Sequence, residues 1–210
     1  MMWRVGAILI GYAWGNLVFA YVVSHYYLHV DPSKVGSGNP GTANVGAVFG
    51  KKYGILTCLG DFGKTILALI LSYWLYRSQL ALAYTGLGLI LGHCFPLWRH
   101  FRGGKGVAVA IVLLLSYDWH WALVALLIAL LAATIIQNLT IPPLMFMLLF
   151  SVTDQQMHFE ARLIFGLMTL VMFIRFWPDV VDFCLGRGKR VDILKTIKRK
   201  LSGSQIIRKN

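Results

Sequence analysis

Long apolar runs alternate with short polar segments along most of this chain. The runs cover residues 3–28, 54–76, 80–98, 106–117, 119–137, 141–152 and 161–178. A transmembrane helix needs about 20 predominantly apolar residues, and the runs at 106–117 and 141–152 are shorter than that. The pattern predicts an all-α membrane protein with about seven transmembrane helices. The two short runs either cross a thin part of the protein or dip in and out of the bilayer.

Composition supports the same class. The chain has 210 residues, of which 58% are hydrophobic and 13% are charged, and its mean hydropathy is +0.67. Soluble domains carry about 25% charged residues, so a water-soluble helical bundle is the less consistent alternative. The length suits one domain, and we expect residues 1–186 to form a transmembrane domain that is followed by a basic tail, residues 187–210.

The distribution of positive charge predicts the orientation. If seven spans alternate in direction, one side of the membrane receives only Arg4, Arg77 and Arg162. The other side receives the remaining loop and tail cations: Lys34, Lys51, Lys52, Arg99, Arg102, Lys105, Arg187, Lys189, Arg190, Lys195, Lys198, Arg199, Lys200, Arg208 and Lys209. The positive-inside rule makes this second side cytoplasmic and places the N-terminus outside.

The same charge limits the possible partners. The net charge is +12, and a basic cytoplasmic tail next to anionic lipid explains most of it. The tail has no interleaved aromatic residues and no nucleic-acid-binding module, so we expect membrane lipids and no nucleic acid as partners. Cys58, Cys94 and Cys184 form neither a C-x-x-C pair nor a Cys/His cluster. We therefore expect free thiols and no metal site.

Two glycine-rich segments fall on the predicted cytoplasmic side. Loop 1 is GSGNPGTANV, residues 36–45, and it has almost no side chains that pack. Glycines allow successive backbone N–H groups to point into one concavity that holds an anion, although a plain connector has a similar composition. The second segment is RHFRGGKGVA, residues 99–108, which opens an apolar run, and its residues 99–106 are called loop 2. A helix N-terminus beside Lys105 favours an anion, whereas the spacing of a Walker A motif is absent.

Charged and polar residues also interrupt the apolar runs. Asp61 and Lys64 lie three positions apart and so on one helical face, where they can pair. Each is costly within a membrane, so the pair either locks helices together or directs Lys64 at the anion pocket. His93, just before loop 2, is either a hydrogen-bonded structural residue or a support for that loop.

These motifs carry a family resemblance. GSGNPGTANV, DFGK, GHCFP and FRGGKGVA, in this order, resemble the bacterial membrane acyl-phosphate:glycerol-3-phosphate acyltransferases, over roughly residues 5–186. The resemblance implies seven transmembrane helices in the bacterial cytoplasmic membrane, with the catalytic loops inside. It also implies transfer of a fatty acyl group from acyl phosphate to the 1-hydroxyl of glycerol 3-phosphate, giving lysophosphatidate for phospholipid synthesis, without a metal or nucleotide cofactor.

The residues are compatible with that chemistry. An acyl phosphate is already activated, so catalysis needs stabilisation of the leaving phosphate and correct placement of the acceptor. The H-x-x-x-x-D signature of another acyltransferase class is missing, because no histidine has an aspartate five residues later.

The resemblance assigns roles to individual residues. Ser37 and Lys105 are the predicted catalytic residues: Ser37 hydrogen-bonds a substrate oxygen, and Lys105 neutralises the leaving phosphate. Gly103, Gly104 and Gly106 are predicted to donate backbone N–H groups to it. The remaining substrate-binding residues are expected to shape loop 1: Gly36, Gly38, Asn39, Gly41 and Asn44. Asp61, Lys64 and His93 are the predicted supporting residues.

The chain also departs from the family pattern. Family members usually read A-T-N-V-x-R in loop 1, whereas this chain reads T-A-N-V-G-A and has Ala47 in place of the arginine. Near the C-terminus the family pattern is R-H-x-x-N-I, and here Phe176 replaces the histidine and Asp179 the asparagine. These groups belong to the glycerol phosphate side, where Arg102 and Arg175 are candidates to compensate.

Two other functions stay open. A non-catalytic relative would bind acyl phosphate or lipid as a sensor or partner subunit. An anion transporter would need polar residues deep in several spans, and only Asp61 and Lys64 clearly qualify.

Overall fold

The computed structural model describes residues 2–154 and 156–188, and within them the regular structure is helical. The α-helices are α1 Met2–Gly15, α2 Phe19–Val23, α3 Thr42–Phe49, α4 Lys51–Tyr76, α5 Gln79–Cys94, α6 Val107–Tyr117, α7 Trp119–Ile136, α8 Ile141–Thr153 and α9 Phe159–Cys184. A π-helical turn, Ser24–Leu28, extends α2, and a short 3₁₀ turn, Leu97–Arg99, opens loop 2. This confirms the predicted all-α class. Residues 189–210, most of the predicted tail, lie outside the described residues.

Within residues 2–154 and 156–188, five helical segments are long and apolar enough to cross a membrane: Met2–Leu28, Lys51–Tyr76, Gln79–Arg99, Trp119–Ile136 and Phe159–Cys184. The helices of the two short runs, α6 and α8, have 11 and 13 residues. At 1.5 Å per residue they span only about 17 and 20 Å, against a hydrocarbon core of about 30 Å. The number of seven spans and the orientation stay predictions.

The hydrophobic pattern predicted one continuous helix for the first apolar run, but the structure shows a break in it. The helix ends at Gly15 and resumes at Phe19, and the intervening Val18 has an extended backbone with φ −81° and ψ 105°. The side-chain amide of Asn16 donates to the Tyr12 carbonyl oxygen at 2.6 Å. An amide that bonds locally to the backbone competes with helix continuation, and its position coincides with the break.

Helix α5 lies at the centre of the molecule. It packs against α1, α4, α6 and α9. In the segment Gln79–Arg99, which contains α5, 72% of the most apolar 18 residues are buried, compared with 22–39% in the other long segments. Glycines bring α1 and α5 close together: a Cβ on Gly88 would collide with the backbone of α1, and one on Gly15 with the backbone of α5. Small residues at such contacts are typical of membrane helix packing.

Side-chain contacts show how α1, α5 and α9 are arranged. At one end of the molecule Glu160, near the start of α9, pairs with Arg4 and accepts a hydrogen bond from Tyr84 near the start of α5. At the other end Arg175 of α9 reaches the loop that follows α5. The three helices therefore run in the same direction, and the segments between α2 and α3 and between α5 and α6 lie at their common C-terminal end.

Candidate active site

Loop 2 folds back onto the end of α5. The Gly103 N–H donates to the Cys94 carbonyl oxygen at 3.2 Å, and the Gly104 N–H donates to the His93 carbonyl oxygen at 3.0 Å. A Cβ on Gly103 would collide with the His93 carbonyl oxygen, and a Cβ on Gly104 would collide with the His93 ring. Glycine is therefore required at both positions for the close approach of the two backbones.

This geometry corrects one prediction. We expected Gly103 and Gly104 to donate their N–H groups to a phosphate, but both are donated within the protein. Gly106 differs, because it precedes α6 with a left-handed φ of 80°. It leads into the first turn of the helix, where backbone N–H groups have no partner within the helix. The anion-binding potential of loop 2 therefore lies at Lys105 and the α6 N-terminus.

Arg175 holds loop 2 from the opposite side. Its Nη2 donates to the Gly103 carbonyl oxygen at 2.6 Å, and its Nε donates to the Gly104 carbonyl oxygen at 3.2 Å. The fork geometry of a guanidinium suits two adjacent acceptors. Arg175 thus fixes the two residues that precede Lys105, and it is not a free cation that compensates for the missing arginine at Ala47.

Lys105 contacts both of the C-terminal departures from the family pattern. Its Nζ lies 2.7 Å from Asp179 Oδ2 and 4.8 Å from the centroid of the Phe176 ring. Asp179 and Phe176 are three positions apart on α9 and so share a face. Sequence reasoning did not predict this contact, because the lysine and the carboxylate are far apart in the chain.

Loop 1 is organised by Asn44 from within. Asn44 is 5% exposed, its Oδ1 accepts the Ser37 N–H at 2.8 Å, and its Nδ2 donates to the carbonyl oxygens of Pro32 and Val35 at 2.9 and 3.0 Å. Both amide hydrogens are used, so Asn44 shapes the loop, as predicted, and has none left for an anion. Among the described residues, the hydroxyl oxygen of Ser37 accepts one long bond, 3.4 Å, from the Asn39 N–H.

The glycines of loop 1 differ in their backbone. Gly36 and Gly38 have left-handed φ angles of 61° and 71°, which favour glycine. Gly41 is extended, with φ −155°, and is the N-cap of α3. Asp31, just upstream, accepts hydrogen bonds from the Ser33 N–H and Oγ at 2.9 and 2.7 Å. Burial opposes ionisation of Asp31, but these hydrogen bonds prevail and lower its pKa.

Asp61, Lys64 and His93 form a buried polar centre behind loop 2. Lys64 Nζ lies 2.9 Å from Asp61 Oδ1 and 2.9 Å from His93 Nδ1. It also donates to the carbonyl oxygens of Gly15 and Leu17, at 3.3 and 2.7 Å. The predicted pair is confirmed, and Lys64 is directed at the helix break rather than at an anion pocket.

The buried centre also reaches loop 2 through His93. An ammonium group can only donate, so His93 Nδ1 is the acceptor and its proton is on Nε2. Nε2 faces Gly104, at the position where a Cβ would collide with it. On the other side, the Phe19 N–H donates to Asp61 Oδ1 at 3.4 Å. The centre therefore connects the start of α2 with the glycines of loop 2.

A cavity of about 310 Å³ lies between the end of the first helical segment and loop 2. Sequence reasoning did not single out its lining side chains, which include Tyr21, Ser24, His25, His29, Asp31 and Arg99. The Arg99 guanidinium carbon lies 4.2 Å from the Tyr21 ring centroid and 4.5 Å from that of Trp98, and the Tyr21 hydroxyl donates to the Arg102 carbonyl oxygen at 2.7 Å. Across residues 2–154 and 156–188, no hydrogen bond joins residues 36–45 directly to residues 99–106.

Within those residues the three cysteines are free. The same part of the chain contains no group of three or more His, Cys, Asp or Glu side chains arranged to hold a metal ion.

Comparison with known proteins identifies close relatives. The family model for glycerol-3-phosphate acyltransferase matches residues 5–185. A curated relative from Lactobacillus acidophilus, glycerol-3-phosphate acyltransferase 1, is 56% identical over 200 residues, which cover 95% of this chain and 98% of the relative. A protein of the same name from Lactobacillus johnsonii is 55% identical and covers 93% of this chain and 96% of the relative.

A solved structure is also similar. The crystal structure of PlsY, an integral membrane glycerol 3-phosphate acyltransferase, in its glycerol 3-phosphate form, superposes with a TM-score of 0.81. The match has 25% sequence identity and covers 92% of this chain and 98% of the other. The lysophosphatidic acid form of that protein gives a TM-score of 0.79 at 24% identity.

Proposed function

Because this chain belongs to the glycerol-3-phosphate acyltransferase family, we propose that it transfers a fatty acyl group from acyl phosphate to the 1-hydroxyl of glycerol 3-phosphate. The product is lysophosphatidate, an intermediate of phospholipid synthesis. Both substrates carry a phosphate, and the acyl chain of the donor stays in the bilayer. We place the enzyme in the bacterial cytoplasmic membrane with loops 1 and 2 on the cytoplasmic side, as the bias of positive charge favours.

The observation that carries the mechanism is the position of Lys105. Its ammonium group lies at the start of α6, beside residues whose carbonyl oxygens are fixed by Arg175. A cation that is already in place when charge develops stabilises the transition state without a reorganisation cost. Lys105 is therefore suited to neutralise the phosphate that leaves.

The reaction is a direct displacement. The acceptor hydroxyl oxygen bonds to the acyl carbonyl carbon, the bond from that carbon to the phosphate oxygen breaks, and the electron pair leaves with the phosphate. The proton of the attacking hydroxyl is taken up by the phosphate. Because the leaving phosphate is itself a proton acceptor, the step needs no separate strong base, and catalysis depends on placing the two substrates together.

Loop 1 contributes a backbone whose shape is preformed. Asn44 accepts a hydrogen bond from the Ser37 N–H and donates to the Pro32 and Val35 carbonyl oxygens, and these bonds hold the shape of the loop without a substrate. The Ser37 hydroxyl is then available to hydrogen-bond a substrate oxygen, since within the described part of the chain its one hydrogen bond is the long one from the Asn39 N–H. The Gly38 and Gly41 N–H groups are donated within the protein, to the carbonyl oxygens of Val35 and Asn39 at 3.0 and 2.9 Å, so the contribution of loop 1 rests on Ser37 and not on free glycine N–H groups.

The test is acyl transfer by the purified protein from palmitoyl phosphate to labelled glycerol 3-phosphate, with palmitoyl-CoA as the alternative donor. We expect lysophosphatidate from acyl phosphate only. Lys105→Ala is expected to lower kcat by about 10²–10³-fold, the range for removing one preorganised donor. Lys51→Ala is the matched control, because Lys51 is an exposed lysine at the start of α4.

Two outcomes contradict the proposal. Near-normal turnover by Lys105→Ala removes Lys105 from the mechanism. No product from the parent, with palmitoyl phosphate still bound, excludes glycerol 3-phosphate as the acceptor and directs the search to other acceptors or to a non-catalytic binding role.

A further inference from the structure

Asp179, near the C-terminal end of α9, is a counter-ion to Lys105, the lysine of the proposed mechanism. Asp179 Oδ2 lies 2.7 Å from Lys105 Nζ, a distance typical of a charge-assisted hydrogen bond. Phe176 lies one turn earlier and is 3% exposed, and its ring attracts the ammonium group without carrying a charge that competes with a substrate. Lys105 is thus fixed in position by the ring and neutralised by the carboxylate.

The pair is open to solvent. The side chains of Lys105 and Asp179 are 22% and 39% exposed, so both groups can be hydrated separately and a dissolved anion can reach them. Exposed ion pairs contribute little to stability. A phosphate dianion carries more charge than a carboxylate and offers three oxygens, so it can replace Asp179 as the partner of Lys105.

We propose that Asp179 is a displaceable counter-ion, which occupies the phosphate position at Lys105 in the free protein and thereby weakens the binding of anionic ligands. This inference rests on the proposed role of Lys105 as the phosphate-binding cation. Asp179 acts through Lys105 and is a positioning residue. It holds the ammonium group at the site when no phosphate is bound and withdraws when one enters.

The exposure of the pair sets the expected change in phosphate affinity when Asp179 loses its charge. Such pairs contribute about 0–1 kcal/mol, and 1 kcal/mol corresponds to about fivefold in a dissociation constant. Asp179→Asn keeps the shape of the side chain and removes its charge. It should therefore lower the dissociation constant of orthophosphate, by up to about fivefold.

The experiment measures orthophosphate binding to the purified full-length protein by isothermal titration calorimetry, at constant ionic strength. Binding does not depend on turnover, so a protein without acyltransferase activity still gives a result. Asp182→Asn is the matched control, because Asp182 is an exposed aspartate less than one turn further along α9 and the substitution changes the net charge equally. A third variant combines Asp179→Asn with Lys105→Ala.

Three results together support the proposal. Asp179→Asn binds orthophosphate more tightly than the parent, Asp182→Asn binds it about as the parent does, and Asp179→Asn gives no gain once Lys105 is alanine. Unchanged or weaker binding by Asp179→Asn overturns it. An equal gain from Asp182→Asn overturns it as well, since net charge would then explain the effect. Absence of measurable orthophosphate binding to the parent also counts against it, because Lys105 would then have no phosphate to exchange for Asp179.

Discussion

The part of the chain that the structure describes contains two lysine–aspartate pairs, which are nearly identical in length and opposite in surroundings. Lys64 lies 2.9 Å from Asp61, with side chains 0% and 2% exposed, and Lys105 lies 2.7 Å from Asp179, with side chains 22% and 39% exposed. Lys64 has further partners, which are two backbone carbonyl oxygens of the helix break and His93. Lys105 has only an aromatic ring besides its carboxylate among the described contacts.

Burial therefore decides what each pair can do. A buried charge that loses its partner is left uncompensated, which costs about 3–5 kcal/mol, so Lys64 and Asp61 cannot exchange partners during a reaction. An exposed pair contributes about 0–1 kcal/mol, so Lys105 can leave Asp179 for a substrate. We therefore expect the first pair to maintain the fold and the second to take part in the proposed phosphate binding.

The largest expected effect comes from Lys64→Met. The substitution leaves the Asp61 carboxylate, the Gly15 and Leu17 carbonyl oxygens and His93 without the ammonium group that joins them. We expect a loss of about 3–5 kcal/mol in the free energy of unfolding. The measurement is the fraction of monodisperse protein after extraction, together with the thermal unfolding midpoint.

The double variant Lys64→Met with Asp61→Asn is the control for this prediction. It removes both charges, so no uncompensated carboxylate remains, and we expect it to recover part of the loss. A parent-like midpoint for Lys64→Met alone would mean that the buried pair does not support the fold.

The next effect concerns the exposed pair. Lys105→Ala is expected to remove most turnover yet to shift the thermal midpoint by at most about 2–4 °C, the change that corresponds to 1 kcal/mol at this chain length. Unfolding scans and turnover of the same preparation check this separation of activity from stability. A midpoint shift as large as that of Lys64→Met would make Lys105 a structural residue and end the distinction between the pairs.

Arg175→Lys is expected to have an intermediate effect on activity. A lysine has one ammonium group and cannot reproduce the fork that spans the Gly103 and Gly104 carbonyl oxygens, so the residues before Lys105 lose their fixed position. We expect about a tenfold decrease in kcat, which is less than the roughly 10²-fold that a 1 Å misplacement of a catalytic group can cost, with KM changed less than kcat.

Arg162→Lys is the matched control for Arg175→Lys. Arg162 is also on α9 and also donates to a backbone carbonyl oxygen, that of Asp154 at 2.9 Å, but near the opposite end of the helix. If both variants lose activity equally, the loss reflects α9 in general and not the support of loop 2.

The fold was largely predictable because hydropathy reports burial in lipid. The long apolar runs, the all-helical class and the Asp61–Lys64 pair all follow from periodicity and spacing within a single helix. The break at residues 16–18 was missed, because one asparagine barely changes the average hydropathy of a long run. Its stabilisation comes from Lys64, 47 positions after Leu17, and no local pattern contains that contact.

The composition of the site stays a prediction from the sequence, and the geometry that the structure shows around it was not predictable. The glycine loops and Lys105 were identified from short motifs. Three features of the site depend on how α5, loop 2 and α9 meet. They are the hydrogen bonds of the Gly103 and Gly104 N–H groups, the hydrogen bonds that Arg175 donates to loop 2, and the contact of Lys105 with Asp179. Residues 71 and 72 positions apart form the Arg175 contacts, so spacing along the chain carries no signal for them.

The smallest expected effect is that of salt on the two pairs. The Debye length falls from about 10 Å at 0.1 M ionic strength to about 3 Å at 1 M, which screens exposed charges and affects buried ones much less. The midpoint difference between the parent and Lys105→Ala should therefore shrink towards zero at high salt, while the difference between the parent and Lys64→Met stays constant. Thermal scans of the three proteins at both ionic strengths, in one detergent and at one scan rate, check this. If the midpoint difference between the parent and Lys64→Met also fell to zero at high salt, dissolved ions would have to reach the buried pair. Burial would then no longer distinguish the pair that stabilises the fold from the pair that exchanges its partner.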